Sequence, residues 1–350
     1  MDLSNMLLTF GMVAYVGIAI FAANNESLNP DAPRLSRPLL LGILIAMLLF
    51  AMLMLQAALF TNLDTPEEFG VNTLPEVDLT AALANLLITG LIGLVGAWCL
   101  WSIRPRRAIK RLLGDGTAYD PESPVHTAAI ILTLALLVYT VGNLIVGGGL
   151  SGLAEEMLES GGVGIGETLL NQALWVLAAC LGVGLFIRRT PAVAAARLGL
   201  RWPTLSDAIL GVLTGLLMYF GIIALTAIWF AAVTPEQLEQ QTAVSQILTQ
   251  SFNTLPIALL ISIAVAVGEE IFFRGALQPV FGVWLTALFF TALHTQYTFT
   301  PASVGIFFVS LVLGFLRRRT STSGTIIAHF VYNFVQLAVA ILASSFLGGQ

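Results

Sequence analysis

Six residues in the last third of the chain carry groups that could do chemistry together: Glu269, Glu270, Arg274, His294, His329 and Asn333. Glu270 and Arg274 are four apart. That spacing shares one face of an α-helix, so the two can pair within one element. Glu269 is turned about 100° from Glu270 on such a helix. It needs another partner or must stay protonated, and a lone carboxyl in a low-dielectric site is a candidate general base or acid. His329 and Asn333 are also four apart and bring an imidazole and an amide to one face. An imidazole and an amide are both suitable hydrogen-bond donors.

The elements that must position these groups are apolar throughout. Hydrophobic residues make up 57% of the 350 and charged residues 10%, with a mean hydropathy of +0.90. Ordinary soluble chains carry roughly 25% charged residues. This chain has too little polar surface to cover itself, so lipid must be its solvent. The expected fold class is all-α, a polytopic transmembrane helical bundle, in a plasma or inner membrane. No nucleic-acid partner is expected.

A spanning helix needs about 20 mostly apolar residues. The sequence predicts about ten: 7–23, 38–60, 81–101, 126–150, 169–187, 208–232, 256–278, 283–300, 302–316 and 322–347. The eighth and ninth are short and closely joined, so they tilt or one is partly re-entrant. Residues 1–205 are expected to form an N-terminal module of about five spans, and 206–350 a separate core. Glu269, Glu270 and Arg274 lie within the seventh span, His294 in the eighth, and His329 and Asn333 in the tenth. Each ionisable group at that depth costs roughly 2.5–3.5 kcal/mol on insertion scales, and such groups are functional by default. The plainer alternative is a structural ion pair joining helices. Because each group is expensive in lipid unless it faces another, Glu269, His294, His329 and Asn333 are expected to converge on one polar pocket.

Charge supports the span count. Fourteen of the fifteen Lys and Arg residues lie in the segments after spans one, three, five and nine; the fifteenth is Arg274. The alternate segments, 61–80, 151–168, 233–255 and 300–301, contain no Lys or Arg and carry Asp64, Glu67, Glu68, Glu76, Asp78, Glu155, Glu156, Glu159, Glu167, Glu236 and Glu239. By the positive-inside rule the basic segments face the cytoplasm and both termini face away from it.

Other features carry less. Cys99 and Cys180 lie in apolar runs and read as small buried residues. His126 sits at the mouth of the fourth span as an interfacial residue. The N-terminus has Asp2 and no Lys or Arg before its apolar run, so it reads as a retained span rather than a signal peptide. Segment 104–111 is either an interfacial helix or a solvated basic loop. Segment 151–166, Gly-rich and acidic, reads as a flexible loop, and 233–255 as an amphipathic outer helix.

Three elements occur in order on three spans: E-E-x-x-x-R at Glu269, Glu270 and Arg274; F-x-x-x-H at Phe290 and His294; and H-x-x-x-N at His329 and Asn333. Over roughly 256–343 this resembles the CAAX protease and bacteriocin-processing family of intramembrane endopeptidases, relatives of the Ras-converting CAAX endopeptidase. Asn333 stands where relatives have Asn or Asp. The resemblance implies glutamate-dependent peptide hydrolysis on a membrane-embedded or membrane-anchored peptide or protein. It implies that Glu269 and His294 activate water, His329 and Asn333 stabilise the oxyanion, and Glu270 and Arg274 hold the site together. No cofactor is expected; the competing arrangement is zinc held by Glu269, His294 and His329. The competing functions are a catalytically silent binding or immunity protein of the same fold and, less in keeping with polar groups confined to one third, a transporter.

Overall fold

The computed structural model describes residues 3–29, 31–61, 77–230, 233–235, 242, 246–297 and 302–347. It is all helix, with no β-strand among the described residues. Two compact units result, Met1–Gly152 and Leu153–Gln350. The helix corresponding to the fifth predicted span lies in the second unit. Of the acidic residues noted above, Asp64, Glu67, Glu68, Glu76, Glu236 and Glu239 lie outside the described residues, as do Asp2, the 300–301 turn and much of 233–255; the described stretch 246–250 is helical.

The first unit contains α1 (Leu3–Leu28), α2 (Ser36–Thr61), α3 (Leu79–Trp101), α4 (Ile103–Leu113) and α5 (Pro124–Val146). Helix α3 is inside-out compared with a helix of a soluble bundle. Leu87, Leu91 and Leu94 of α3 are 72%, 65% and 72% exposed, while Asn85, Thr89, Gly96 and Cys99 face inward. Lipid solvates the outer leucines, and small residues inside let helices approach closely. A Cβ on Gly96 would collide with Leu44 of α2 and crowd Ile131 of α5. The basic segment 104–111 is helix α4, not an irregular loop. Ser102 caps it by accepting from the Arg104 N–H (3.2 Å), and buried Arg106 donates to Thr127 Oγ1 (3.0 Å). Arg37, from the other basic segment of this unit, is near enough to Arg106 to repel its charge.

Helix α6 (Gly149–Glu159) corrects the flexible-loop expectation for 151–166 over most of that segment. It is ordered by packing: buried Ala154 and half-buried Met157 meet Ile247 and Leu248, while Glu155, Glu156 and Glu159 face outward. The glycines that suggested a loop are confined to its ends.

The second unit continues with α7 (Ile165–Gly182), α8 (Pro191–Leu198), α9 (Leu205–Phe230), α10 (Leu255–Glu270), α11 (Gln278–Leu293), α12 (Ala302–Arg319) and α13 (Thr322–Leu347). Helix α9 lies against α13 through Gly211 and Gly215, where a Cβ would meet Ile327, Val331 and the Ala328 carbonyl. Seven described helical stretches are long and apolar enough to cross a membrane. One of them, Leu255–Leu293, has 39 residues. At 1.5 Å per residue it is far longer than a bilayer core of about 30 Å. It is divided at Gly282, whose φ of 75° and ψ of 175° break the helix between the seventh and eighth predicted spans.

Between α10 and α11 the backbone is a π-helix, Ile271–Leu277, where an unbroken α-helix was expected. Pro279 gives a physical reason for strain here. It has no N–H to donate to the carbonyl four residues back, that of Gly275. The Arg197 guanidinium of α8 donates to that carbonyl instead (3.0 Å). The wider π turn begins directly after Glu270, and π segments in helices are frequent at functional sites.

Candidate active site

The site is built on α10, α11 and α13. Glu270 and Arg274 are fully buried and paired across four residues, with Arg274 Nε 3.2 Å from Glu270 Oε2. Arg274 is held from two further directions. Its Nη2 donates to Ser310 Oγ of α12 at 3.0 Å, and its guanidinium lies over the Phe290 ring, 5.2 Å from the centroid. A fully buried charge needs this many contacts, since a buried pair recovers its desolvation cost only through geometry and additional hydrogen bonds.

Glu270 also reaches α13: its Oε1 lies 3.0 Å from His329 Nδ1. Because Glu270 is the acid of an ion pair, it accepts here and His329 Nδ1 carries the proton. His294, at the C-cap of α11, is oriented similarly by a different group. Its Nδ1 lies 2.7 Å from the Phe290 carbonyl, which can only accept, so that nitrogen also carries a proton. In a neutral ring the Nε2 of His294 is therefore unprotonated. The Phe290 and His294 rings are 4.2 Å apart.

Glu269 has been turned away from this pair, as the 100° step requires. Its Oε2 is buried and makes no hydrogen bond among the described residues. It lies 3.9 Å from His294 Nε2 and 4.0 Å from His329 Nε2. Those gaps are too long for direct hydrogen bonds, and each is short enough for a water oxygen about 2.8 Å from either side to bridge it. Side-chain exposures of 14% for Glu269 and 19% for His294, against 0% for Glu270, put the open side of the site at Glu269 and His294.

Five of the six sequence-derived residues thus come together. Asn333 lies one turn beyond His329 on α13, half-buried, and no hydrogen bond among the described residues ties it to the other five. Among the described residues no group of three His, Cys, Asp or Glu side chains is arranged to hold a metal ion. Sequence reasoning passed over Ser310, whose role depends on which face of α12 turns inward. It also passed over Gln172 of α7, which is buried, has Oε1 unpartnered, and lies where a Cβ on Gly268 would strike it.

A family model described as Type II CAAX prenyl endopeptidase Rce1-like matches residues 251–335. No curated protein and no solved structure matches this chain.

Proposed function

We propose, for a multi-pass membrane protein whose residues 251–335 match a family model described as Type II CAAX prenyl endopeptidase Rce1-like, that the chain is an intramembrane endopeptidase with Glu269 as its general base. The observation that carries this reading is the buried, unbonded Glu269 Oε2 between two imidazole Nε2 atoms, 3.9 and 4.0 Å away.

In the proposed reaction a water held by Glu269 and His294 loses a proton to Glu269 as its oxygen attacks the scissile carbonyl carbon. The carbonyl oxygen becomes an oxyanion and accepts from His329 Nε2–H and the Asn333 amide. As the intermediate collapses, the C–N bond breaks, and Glu269 returns its proton to the departing amine. His329 can donate from Nε2 only as an imidazolium, because Nδ1 is already committed to Glu270. The charge balance supports that state. Two carboxylates, one guanidinium and one imidazolium sum to zero, which a low-dielectric site favours. Glu270 and Arg274 then act as the frame that orients His329, as residues behind the reacting groups commonly do. No metal takes part in this scheme.

The basic segments are proposed to face the cytoplasm and both termini the opposite side. The substrate class is a membrane-associated peptide or protein, and a prenylated CAAX tail is the first candidate to assay.

The test compares membrane peptides and proteins from cells carrying the wild-type chain with those from cells carrying Glu269→Gln. A precursor that accumulates in the variant, and is cut by purified wild-type protein, supports the reading. Turnover of that substrate by Glu269→Gln at the wild-type rate overturns it. Stoichiometric zinc in the purified protein, with activity lost to chelator and restored by zinc, would replace this scheme with a metal-dependent one.

A further inference from the structure

The α7–α8 connector, α8 itself, the α8–α9 connector and the end of α12 bring five arginines together: Arg188, Arg189, Arg197, Arg201 and Arg317. The segments are tied to one another. Thr322 Oγ1 donates to the Leu198 carbonyl (2.5 Å), Thr322 N to the Gly199 carbonyl (3.1 Å), and Ser323 Oγ to the Arg201 carbonyl (2.6 Å). One carboxylate among the described residues serves this group: Asp207, which pairs with Arg201 at 2.8 Å. Arg189, Arg197 and Arg317 have no carboxylate within ion-pair distance among the described residues.

These three are fixed in place rather than waving in solvent. Arg189 Nη1 donates to the Val183 carbonyl, and Arg197 Nη1 to the Gly275 carbonyl. The Arg317 guanidinium lies over Gly199, in the space a Cβ there would occupy, and its Nε is buried with no hydrogen-bond partner. Holding like charges together has a cost visible at Arg197: burial lowers its pKa below the usual guanidinium range, and the fields of Arg189 and Arg317 lower it further. Burial, then Arg189 and Arg197, likewise push Arg188 down to about 10. Convergent guanidinium groups with unused donors match the oxygens of a phosphate group.

The surroundings indicate where such a phosphate would come from. Phe186 is 81% exposed and Trp202 is 94% exposed, one on each side of the stretch from Arg188 to Arg201 in sequence. An exposed Trp ring beside the end of a membrane helix sits at head-group level. Basic pockets between membrane helices bind phosphate-bearing head groups.

We infer that Arg189, Arg197 and Arg317 form a binding site for a phosphate group, carried by the head group of an anionic phospholipid. Binding would relieve the repulsion among them and secure α8 against the π-helical segment that follows Glu270, through the Arg197 contact with Gly275. The inference does not depend on the proteolytic reading.

The experiment titrates purified full-length protein with phosphatidylglycerol, with inorganic phosphate and with diacylglycerol, following lipid retention by native mass spectrometry and the thermal unfolding midpoint. Phosphatidylglycerol is expected to be retained and to raise the midpoint, while diacylglycerol does neither. Arg189→Gln with Arg317→Gln is expected to weaken phosphatidylglycerol binding about fivefold for each arginine removed. Arg318→Gln with Arg319→Gln removes the same formal charge beside the cluster and is expected to leave binding intact. Arg189→Gln alone serves if the double variant does not fold. Stabilisation by inorganic phosphate as strong as by lipid would keep the phosphate site and reject the lipid as its carrier. Equal binding by wild type and the Arg189 variants, or equal weakening by the Arg318 and Arg319 pair, would overturn the site.

Discussion

The Nδ1 of His329 and the Oε1 of Glu270 are 3.0 Å apart although 59 residues separate them in the chain. That contact fixes the ring of His329 and connects it to the buried Glu270–Arg274 pair, so one residue of the pair orients a neighbour of the proposed base. Adjacent Glu269 takes no part in it. Two consecutive glutamates therefore have different surroundings, and substitutions should separate their effects.

Glu269→Gln is expected to leave the fold intact and almost abolish hydrolysis. Glu270→Gln is expected to lower stability as well, because it leaves the fully buried Arg274 without its carboxylate. Breaking a buried pair by removing one partner costs about 3–5 kcal/mol. Thermal unfolding in detergent beside an activity assay would show it; equal midpoints for the two variants would contradict this division of roles.

Ser310→Ala should fall between wild type and Glu270→Gln in stability. It removes one acceptor from Arg274 Nη2 while leaving the Glu270 contact in place. An unsatisfied buried donor costs about 1–3 kcal/mol, more when charged. Denaturation midpoints measured under one detergent condition would decide this, and a wild-type midpoint for Ser310→Ala would remove Ser310 from the frame.

His329→Ala and Asn333→Ala are both expected to retain weak activity. Loss of one oxyanion donor costs roughly 10²–10³ in rate in soluble proteases. His329→Ala should be the more damaging, since its ring also contacts Glu270. Rates on an identified substrate, compared at saturating concentration, would test the order.

Gly268→Ala is expected to impair both folding and activity, because the added methyl, one residue before Glu269, would strike Gln172. Gln172→Ala should restore part of the loss, since the Gln172 backbone still crowds that point. No rescue in the double variant would show that the glycine is needed for another reason.

The proposed orientation is open to cysteine labelling in intact cells. A Cys placed at Arg107 or Arg318 should be protected from a reagent that cannot cross the membrane, and one placed in segment 151–160 should react. Strong labelling at Arg107 would overturn the orientation.

Much was legible in the sequence because lipid makes polarity conspicuous. A Glu or His within an apolar run has few inexpensive placements, so composition alone indicated a helical membrane protein, and the ionisable residues of the last third indicated a shared pocket. The i, i+4 pairing of Glu270 with Arg274 needed only helix geometry. Tertiary structure decided what periodicity could not carry. Ser310 and Gln172 are ordinary polar residues in apolar helices, and only the rotation of α12 and α7 turns them toward Arg274 and Gly268. The π turn after Glu270 is accompanied by a Gly275 carbonyl that Pro279 cannot bond and Arg197, 78 residues earlier in the chain, does. Helix α6 looked like a loop because its order comes from Ile247 and Leu248, far along the sequence. Local sequence determines which groups lipid will not tolerate. Long-range packing chooses the partners that make them tolerable, and so which carboxylate oxygen is left without a hydrogen bond.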